Sequence, residues 1–273
     1  MTRRWSGTYH VRGLRVRALR CNLHFLPLGR VGDGRGIVLK DHLNLVRAIL
    51  IVVSWAGVVA MPVTIACAVI WNLFFDAGFY HAGEARYQVD LTTGMSFAEI
   101  DRVNAGIIRF FSSDESLPQA LQASGASPDV FKQKEILHMN DVRGLVRGVE
   151  GLTIIGLVVE AVVLGASLAT WRAGGRTVLM RVLGIGSALT IAIVILAALT
   201  TFLGFDSLFL TFHEIAFQNT YWQLDPRTDH LIQLFPFGFW FDAMLTIAFR
   251  VFIIGAVCGI IATLAWMMER ARP

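Results

Sequence analysis

Two histidines stand in segments whose residue types suit acid–base chemistry, His138 and His213. Glu135, His138 and Asp141 are three residues apart, and side chains at this spacing are neighbours on one face of a helix. We therefore expect the His138 imidazole to lie between two carboxylates, which orient the ring and fix its tautomer. Such an imidazole can take and return a proton near neutral pH. The same pattern is also typical of a surface histidine on an acidic helix.

The segment around His213 is rich in aromatic residues and poor in metal ligands. His213-Glu214 begins like a zinc-protease helix, but the position four residues after His213 is Phe217, which cannot be the second ligand. We therefore predict no metal site. The aromatic residues fit either an interfacial belt or the lining of a lipid-binding cleft. They are Phe212, Phe217, Tyr221, Trp222, Phe235, Phe237, Phe239 and Trp240.

Membrane-spanning helices are the elements that must position these residues. Of the 273 residues, 55% are hydrophobic and only 16% charged, whereas a soluble domain has about 25% charged residues. The 19 Phe and 7 Trp also exclude a disordered chain. Four apolar segments each reach the roughly 20 residues that a helix needs to cross a bilayer, and they are 48–75, 148–171, 182–205 and 241–268. We predict an all-α integral membrane protein with four transmembrane helices.

The distribution of charge predicts the orientation, because Lys and Arg accumulate on the cytoplasmic side. The tail at 1–47 and the connector at 172–181 are basic, and a short end follows at 269–273. The segments 76–147 and 206–240 are rich in Asp and Glu instead. We predict that both termini lie inside and that the two acidic segments form a mostly helical extracytoplasmic cap.

The basic tail accounts for most of the excess positive charge behind a pI of about 9.2. It has neither paired Cys/His spacing nor alternating aromatic and basic residues, so we expect contact with anionic lipid and no nucleic-acid partner. The first apolar run begins near residue 48 and is too long for a signal peptide. Cys21, Cys67 and Cys258 all lie outside the two acidic segments, so we expect neither a disulfide nor a thiol nucleophile there.

Local patterns predict elements within the first acidic segment. Residues 87–91 alternate like a short strand, and residues 96–99 match the capping box that opens a helix. Ser127-Pro128 resembles an N-cap followed by proline at the first helical position. The helix that it predicts runs through His138 into the second span.

Two charged residues fall inside the predicted spans, Glu160 and Arg250. A rise of ~1.5 Å per residue places them about 18 and 14 Å from the outer ends of their helices. Charges at such depth are costly and usually paired. We expect a mutual salt bridge, the alternative being that Arg250 reaches a polar group in a lipid-lined cavity.

Two motifs now resemble a known family. One is His138-Met139-Asn140-Asp141-Val142-Arg143, directly before the second span. The other lies between the third and fourth spans and comprises Phe212-His213 followed by Phe217, Asn219, Trp222, Asp225, Asp229 and Pro236. With four spans in this order, the chain resembles the bacterial lipoprotein intramolecular transacylase family over roughly residues 45–268.

The resemblance implies an enzyme that moves an acyl chain from the glyceryl sn-2 oxygen of a diacylated lipoprotein to its own N-terminal cysteine amine. It implies catalytic roles for His138 and His213 on the extracytoplasmic side of a bacterial cell membrane. We expect His138 to act as the general base, oriented by Glu135 or Asp141, with His213 as its partner. Lipoprotein and membrane lipid are the expected partners. Because ester-to-amide transfer runs downhill and the chain has no Gly-rich phosphate loop, we expect no cofactor. Orienting or substrate-binding roles are expected for Glu135, Asp141, Arg143, Asn219, Trp222, Asp225 and Asp229, with Arg143, Asn219 or the second histidine as oxyanion donor.

Two other classes of function fit the composition. A non-enzymatic sensor would bind a partner through its acidic segments, and a small transporter would use Glu160, Arg250 and the histidines. Against a transporter, the sequence shows no inverted repeat and no pair of broken helices. The separation of His138 and His213 discriminates, since acyl transfer needs them close together and a sensor does not.

Overall fold

Four long helical segments carry the apolar sequence in the computed structural model, which describes residues 34–271, with side chains from residue 44 onward. Each contains a stretch of mean hydropathy 2.3 or higher, as a membrane-crossing helix requires. Their bounds are α1 (Gly34–Phe74), α6 (Gln133–Ala169), α7 (Gly175–Arg181) continued by a π-helical turn (Val182–Gly186) and α8 (Ser187–Ala216), and α10 (Phe237–Arg270). The predicted all-α fold with four candidate spans is confirmed. Cys21 and most of the 1–47 tail lie outside the described residues.

A cap of five short helices covers one end of the long helices. Four lie between α1 and α6, and the fifth lies between α8 and α10. They are α2 (Ala77–Arg86), α3 (Val89–Thr93), α4 (Phe97–Ser112), α5 (Leu117–Ala123) and α9 (His230–Leu234). Ile100, Phe110, Leu121 and Leu234 have no exposed surface, and they belong to one apolar cluster that also includes Met139 of α6. The cap therefore has its own core, which is continuous with the helix that carries His138.

The start of α4 confirms the predicted capping box. The Glu99 carboxylate accepts hydrogen bonds from the Ser96 amide at 2.8 Å and from its hydroxyl at 2.7 Å. The predicted strand at 87–91 is wrong, because Gln88 has a φ of 51° and ends the extended path. Residues Val89–Thr93 form a helical turn instead, and this turn buries Val89. The predicted strand would also have directed Val89 inward.

The predicted N-cap at Ser127-Pro128 is also wrong. Residues 127–132 form turns, and α6 begins at Gln133. The Lys132 amide donates to the Glu135 carboxylate at 2.8 Å, so this acidic side chain caps the helix from its third position. Ser127 and Pro128 therefore start no helix. The side chain that caps α6 is that of Glu135, seven residues after Pro128.

The helix that carries His213 extends beyond the predicted third span. Helix α8 continues to Ala216, so His213 lies on a helix rather than in a loop. Gly204 interrupts the helical path with φ −166° and ψ 51°, and it redirects the last three turns of α8. The final segment of α8 thereby forms part of the site described below.

Small residues permit close packing of α1 against its neighbours. A Cβ atom at Gly57 would lie 2.9 Å from the Val163 side chain and 3.0 Å from that of Val182. A Cβ atom at Gly156 would lie 2.9 Å from the Cβ of Thr64. Larger residues at either glycine would force the helices apart, which is the usual reason for glycine at interfaces between membrane helices.

The predicted salt bridge between Glu160 and Arg250 is wrong. The Arg250 guanidinium donates to the Asn72 side chain at 3.1 Å and to the Asp76 carboxylate at 3.0 Å. Arginine can reach a polar end of a helix because its long aliphatic stem spans several ångströms. Glu160 has a buried carboxylate oxygen without a hydrogen-bond partner among the described residues.

Candidate active site

His138 and His213 come together from two helices that are distant in sequence. Their ring centroids are 6.0 Å apart, with His138 on α6 and His213 near the end of α8. Only 7% of His138 and 8% of His213 is exposed. The two residues that the sequence singles out therefore form one buried imidazole pair, as acyl transfer requires and a sensor does not.

Aromatic side chains surround the imidazole pair. The Phe217 ring lies 4.9 Å from that of His138 and 5.6 Å from that of His213, between centroids. Trp222 lies 5.2 Å from His213, and Phe209 lies 4.2 Å from it. These contacts restrict both rings and exclude water from their faces, so charge on an imidazole is weakly solvated there.

A backbone carbonyl sets the tautomer of His213. Its Nδ1 lies 2.7 Å from the Phe209 carbonyl oxygen one turn earlier in α8. A carbonyl only accepts, so Nδ1 carries the hydrogen, and Nε2 of the neutral ring has the free lone pair. In His138, Nδ1 is buried without a partner among the described residues, which leaves Nε2 as the nitrogen that can meet a ligand.

Glu135 does not orient His138, contrary to the prediction from spacing. One carboxylate oxygen accepts from the Lys132 amide at 2.8 Å, and the other accepts from the Leu231 amide at 2.7 Å. Glu135 has no exposed surface. Its two backbone bonds attach the start of α9 to the start of α6, so its role is to join the two segments that flank the histidines.

Asp141 and Asn219 form the second contact between these segments. The Asn219 amide donates to Asp141 Oδ2 at 2.9 Å, and Asn219 Oδ1 accepts from the Tyr221 backbone amide at 3.0 Å. An open cavity of about 450 Å³ adjoins this pair. Its walls are Asn140, Asp141, Gly144 and Leu145 of α6 and residues 216–219. The cavity lies beside the imidazole pair, with Phe217 shared by both.

Arg143 is directed into the cap. It donates to the Glu115 carbonyl oxygen at 2.8 Å and to the Asn140 side chain at 3.1 Å, and its guanidinium lies 4.1 Å from the Phe110 ring centroid. These contacts attach α6 to the turn between α4 and α5. The structure therefore does not bring Arg143 to the imidazole pair as an oxyanion donor.

The buried carboxylate of Asp229 lies at the end of the segment that connects α8 to α9. It accepts from Lys132 Nζ at 2.9 Å, from Lys134 Nζ at 2.6 Å and from the Asp225 amide at 2.7 Å. Burial raises the pKa of Asp229, but the bonds from Lys134, the Asp225 amide and Lys132 together lower it far below its usual range. Asp225 is also paired with Arg227, whose hydrogen bonds lower the Asp225 pKa to about 2.

Sequence reasoning missed two contributors to this site, the Phe209 carbonyl and the lysines of the first turn of α6. The carbonyl is invisible in a sequence because any residue four positions before His213 supplies it. Lys132 and Lys134 lie 97 and 95 residues before Asp229, so no local spacing could pair them.

The family model described as lipoprotein intramolecular transacylase Lit matches residues 44–240. The in meso structure of the membrane-integral transacylase Lit from Bacillus cereus aligns with a TM-score of 0.70 at 18% identity, covering 82% of this chain and 98% of that one. No curated protein matches the chain.

Two variants of the Bacillus cereus protein align as well. The structure with a histidine-to-arginine substitution gives a TM-score of 0.68 at 17% identity, and it covers 86% of this chain and 99% of that one. The structure with a histidine-to-alanine substitution gives 0.65 at 19%, with the same coverage. At such identities the structures show a shared fold, whereas the family model spans most of the chain. The chain belongs to the lipoprotein intramolecular transacylase family, Lit.

Proposed function

We propose that this protein converts a diacylated lipoprotein to its lyso form, by moving one acyl chain from the glyceryl sn-2 oxygen to the α-amine of the N-terminal cysteine. The observation that carries the proposal is the buried imidazole pair, with ring centroids 6.0 Å apart. An ester aminolysis needs a base for the attacking amine and an acid for the leaving oxygen. One imidazole can act as base and then as acid, and a second imidazole beside it can stabilise the oxyanion, in a site that excludes water.

The tautomer of His213 supports its assignment as the base. The neutral α-amine attacks the ester carbonyl carbon, a C–N bond forms, and Nε2 of His213 accepts the proton that the nitrogen releases. The bond between the carbonyl carbon and the sn-2 oxygen then breaks, and this oxygen takes the proton to become a hydroxyl group. Because the Phe209 carbonyl already holds the hydrogen on Nδ1, the imidazolium that forms remains hydrogen-bonded and needs no reorientation.

His138 is the candidate for stabilising the oxyanion of the tetrahedral intermediate. Its Nδ1 is buried, so Nε2 is the nitrogen available to donate to a developing negative charge. The other two donors that the sequence suggested are engaged elsewhere, since Asn219 donates to Asp141 and Arg143 donates to the cap. This division of roles makes His138 and His213 unequal partners.

The predicted orientation places this reaction at the extracytoplasmic surface. The supporting observation is the charge distribution. The acidic segments 76–147 and 206–240 contribute the cap and both histidines, whereas Arg172, Arg176 and Arg181 lie near the opposite ends of α6 and α8. The ester of a lipoprotein anchored in the outer leaflet lies at that same level.

Replacement of each histidine tests the proposal. His138→Asn and His213→Asn should each lower lyso-lipoprotein formation by at least a hundredfold, because loss of a general base or an oxyanion donor typically costs about 10²–10³ in rate. His81→Asn is the matched control, since His81 is half exposed on α2 and contacts Asp101 rather than the site. Thermal melts of all variants check that the fold is retained.

The readout must separate isomers, because moving an acyl chain within one molecule leaves its mass unchanged. Tandem mass spectrometry of the lipoprotein N-terminal peptide distinguishes them by an N-acylated cysteine fragment, which only the lyso form yields. Capture by an amine-reactive reagent, which only the diacylated form permits, is an independent check. Full conversion by the double variant His138→Asn/His213→Asn would overturn the proposed chemistry.

A further inference from the structure

Asp141 presents a carboxylate to the open cavity without a cationic partner. One oxygen, Oδ2, accepts from Asn219 at 2.9 Å. Among the residues that the structure describes, no Lys or Arg nitrogen lies within 4.0 Å of either oxygen. Asp141 is half-buried and is the acidic residue of the cavity wall. A negative charge therefore faces a space large enough for part of a ligand.

The cations nearest in sequence are committed to other acceptors. Arg143 donates to the Glu115 carbonyl and to Asn140, and Arg147 pairs with Asp114 at 2.5 Å. Further up α6, Lys132 and Lys134 both pair with Asp229. Two lysines thus neutralise the buried carboxylate of Asp229. The carboxylate of Asp141, in contrast, is paired with the uncharged side-chain amide of Asn219. An amide fixes the carboxylate in position without cancelling its charge.

We propose that Asp141 binds the α-ammonium group of the substrate's N-terminal cysteine and so selects lipoproteins whose amine is free. The inference rests on the proposed function, which supplies a substrate with such an amine. An α-amine has a pKa of ~7.7–8.0 and is mostly cationic near neutrality. Asp141 lies three residues after His138 on α6, and side chains at that spacing lie on the same face of the helix.

The proposal fits the proton balance of the reaction. The bound ammonium must lose one proton to water, by way of an imidazole, before its nitrogen can attack, because the amide product and the freed hydroxyl are both neutral. Asp141 holds the cation next to the imidazole pair and accepts none of these protons itself. Asp141 makes no hydrogen bond to His138, so its effect passes through the substrate rather than through the orientation of the ring.

A binding comparison tests this inference without relying on turnover. Two synthetic diacylglyceryl lipopeptides of the same sequence serve as probes, one with a free α-amine and the other N-acetylated. Full-length protein carrying His213→Asn, reconstituted in lipid nanodiscs at pH 6.5, prevents conversion during the measurement. We expect the free-amine probe to bind at least tenfold more tightly, and we expect Asp141→Asn added to this background to abolish the preference.

Matched controls separate the charge from the fold. Asp129→Asn removes the same charge from an exposed turn, and it should leave the tenfold preference intact. Asparagine at 141 keeps an oxygen that can accept from Asn219, so the variant should retain its melting temperature. A pH series provides a second test that requires no substitution at Asp141. The preference for the free-amine probe should vanish between pH 7 and pH 9.5, because its amine becomes neutral over this range.

The outcomes distinguish this inference from the proposed function. Equal binding of both probes at pH 6.5, or a preference that survives Asp141→Asn, overturns the role of Asp141. A preference that depends on Asp141, in a protein that yields no lyso-lipoprotein when both histidines are present, supports the ammonium site and overturns the proposed reaction instead.

Discussion

His213 and Asp229 are each held by groups that a sequence pattern cannot reveal. The ring of His213 is fixed by a carbonyl from its own helix and by four aromatic neighbours, Phe209, Phe212, Phe217 and Trp222. Asp229 is fixed by two lysines from the first turn of α6. Together they define where residues 217–229 run, and this segment covers the imidazole pair.

Replacing Asp229 by asparagine should loosen that segment. Asp229→Asn keeps the volume but removes the charge that two lysines share, and losing charge-assisted bonds at a buried acceptor costs about 1–3 kcal/mol. We expect a melting temperature several degrees lower, together with a smaller yield of lyso-lipoprotein. Asp225→Asn is the control, since Asp225 is paired with Arg227 at the surface, and a melt as low as that of Asp229→Asn would contradict the role of burial.

The residue types predicted which two histidines lie together, but they did not predict which groups hold those histidines and their helices in position. Paired motifs pointed to His138 and His213, and the structure brings these two together. The spacing of Glu135 predicted a bond to His138, but the same carboxylate is also the best cap for α6, and the backbone amides of Lys132 and Leu231 take both oxygens. The spacing of residues along one helix cannot show which donor a carboxylate will bind. One donor to Glu135, the Leu231 amide, lies 96 residues away in the sequence.

Among the elements, the contact between α2 and α4 has an unusual polar centre. Glu84 is completely buried, and its Oε2 accepts from Asn104 Nδ2 at 2.7 Å. The remaining carboxylate oxygen of Glu84 and the Asn104 carbonyl oxygen are both buried without partners among the described residues. A proton on Glu84 would let it donate to an acceptor, which an ionised carboxylate cannot do.

The stability of the cap should therefore depend on pH. Burial raises the pKa of Glu84 from 4.5 to about 7, against the opposing bond from Asn104. A raised pKa means that the contribution is complete below pH 4.5 and is lost as pH rises through about 7. Glu84→Gln should melt higher than the unmodified protein at pH 8.5 and no higher at pH 5, as measured in detergent by differential scanning fluorimetry.

The neighbouring charges supply a control for this prediction. Asp101 faces Glu84 from α4, whereas His81 and Tyr80 lie on α2 with Glu84. The hydrogen bond that His81 donates to the Asp101 carboxylate raises the pKa of His81, so its contribution is also lost as pH rises. His81→Gln should remove only that part of the dependence, since the His81–Asp101 pair is half exposed. Identical pH profiles for Glu84→Gln and the unmodified protein would contradict the assignment.

Secondary structure was predictable where a local bond determined it. The Ser96–Glu99 box is complete within four residues, and it forms as the pattern indicates. The 87–91 segment has strand-like alternation, but it has no second strand among the described residues to pair with, and the cap buries Val89 on a helical turn instead. Tertiary burial therefore overrides a two-residue period that lacks a hydrogen-bonding partner.

At the scale of the whole molecule, hydropathy predicts the spans but not the ends of their helices. A membrane sets the length of the apolar stretch, whereas α6 and α8 continue beyond it because the cap supplies further contacts. The imidazole pair lies on these extensions, at His138 and His213. Their helical setting could not be read from apolarity, because charged residues such as Lys134 and Asp141 in one extension and Asp206 and Glu214 in the other interrupt the apolar runs.

Labelling with a membrane-impermeant thiol reagent tests the predicted orientation. Leu91 on α3 is 74% exposed, and Leu91→Cys should react in intact cells. Arg172→Cys, in the connector at the opposite end of α6, should react only after the membrane is permeabilised. Both variants also carry Cys21→Ser, because Cys21 lies in the tail predicted to be cytoplasmic and would react after permeabilisation. The native Cys67 and Cys258 lie within α1 and α10 and should be protected in both cases. Reaction of Arg172→Cys alone in intact cells would invert the proposed topology.

His138 and His213 are 75 positions apart in the sequence, and they lie on two different pairs of long helices. Helices α1 and α6 make up the first hairpin across the membrane, and α8 and α10 make up the second. A ribosome that has released only the first hairpin has therefore produced only one histidine of the proposed catalytic pair. Acyl transfer must await the insertion of the second hairpin, so a nascent chain cannot act on membrane esters during its own synthesis.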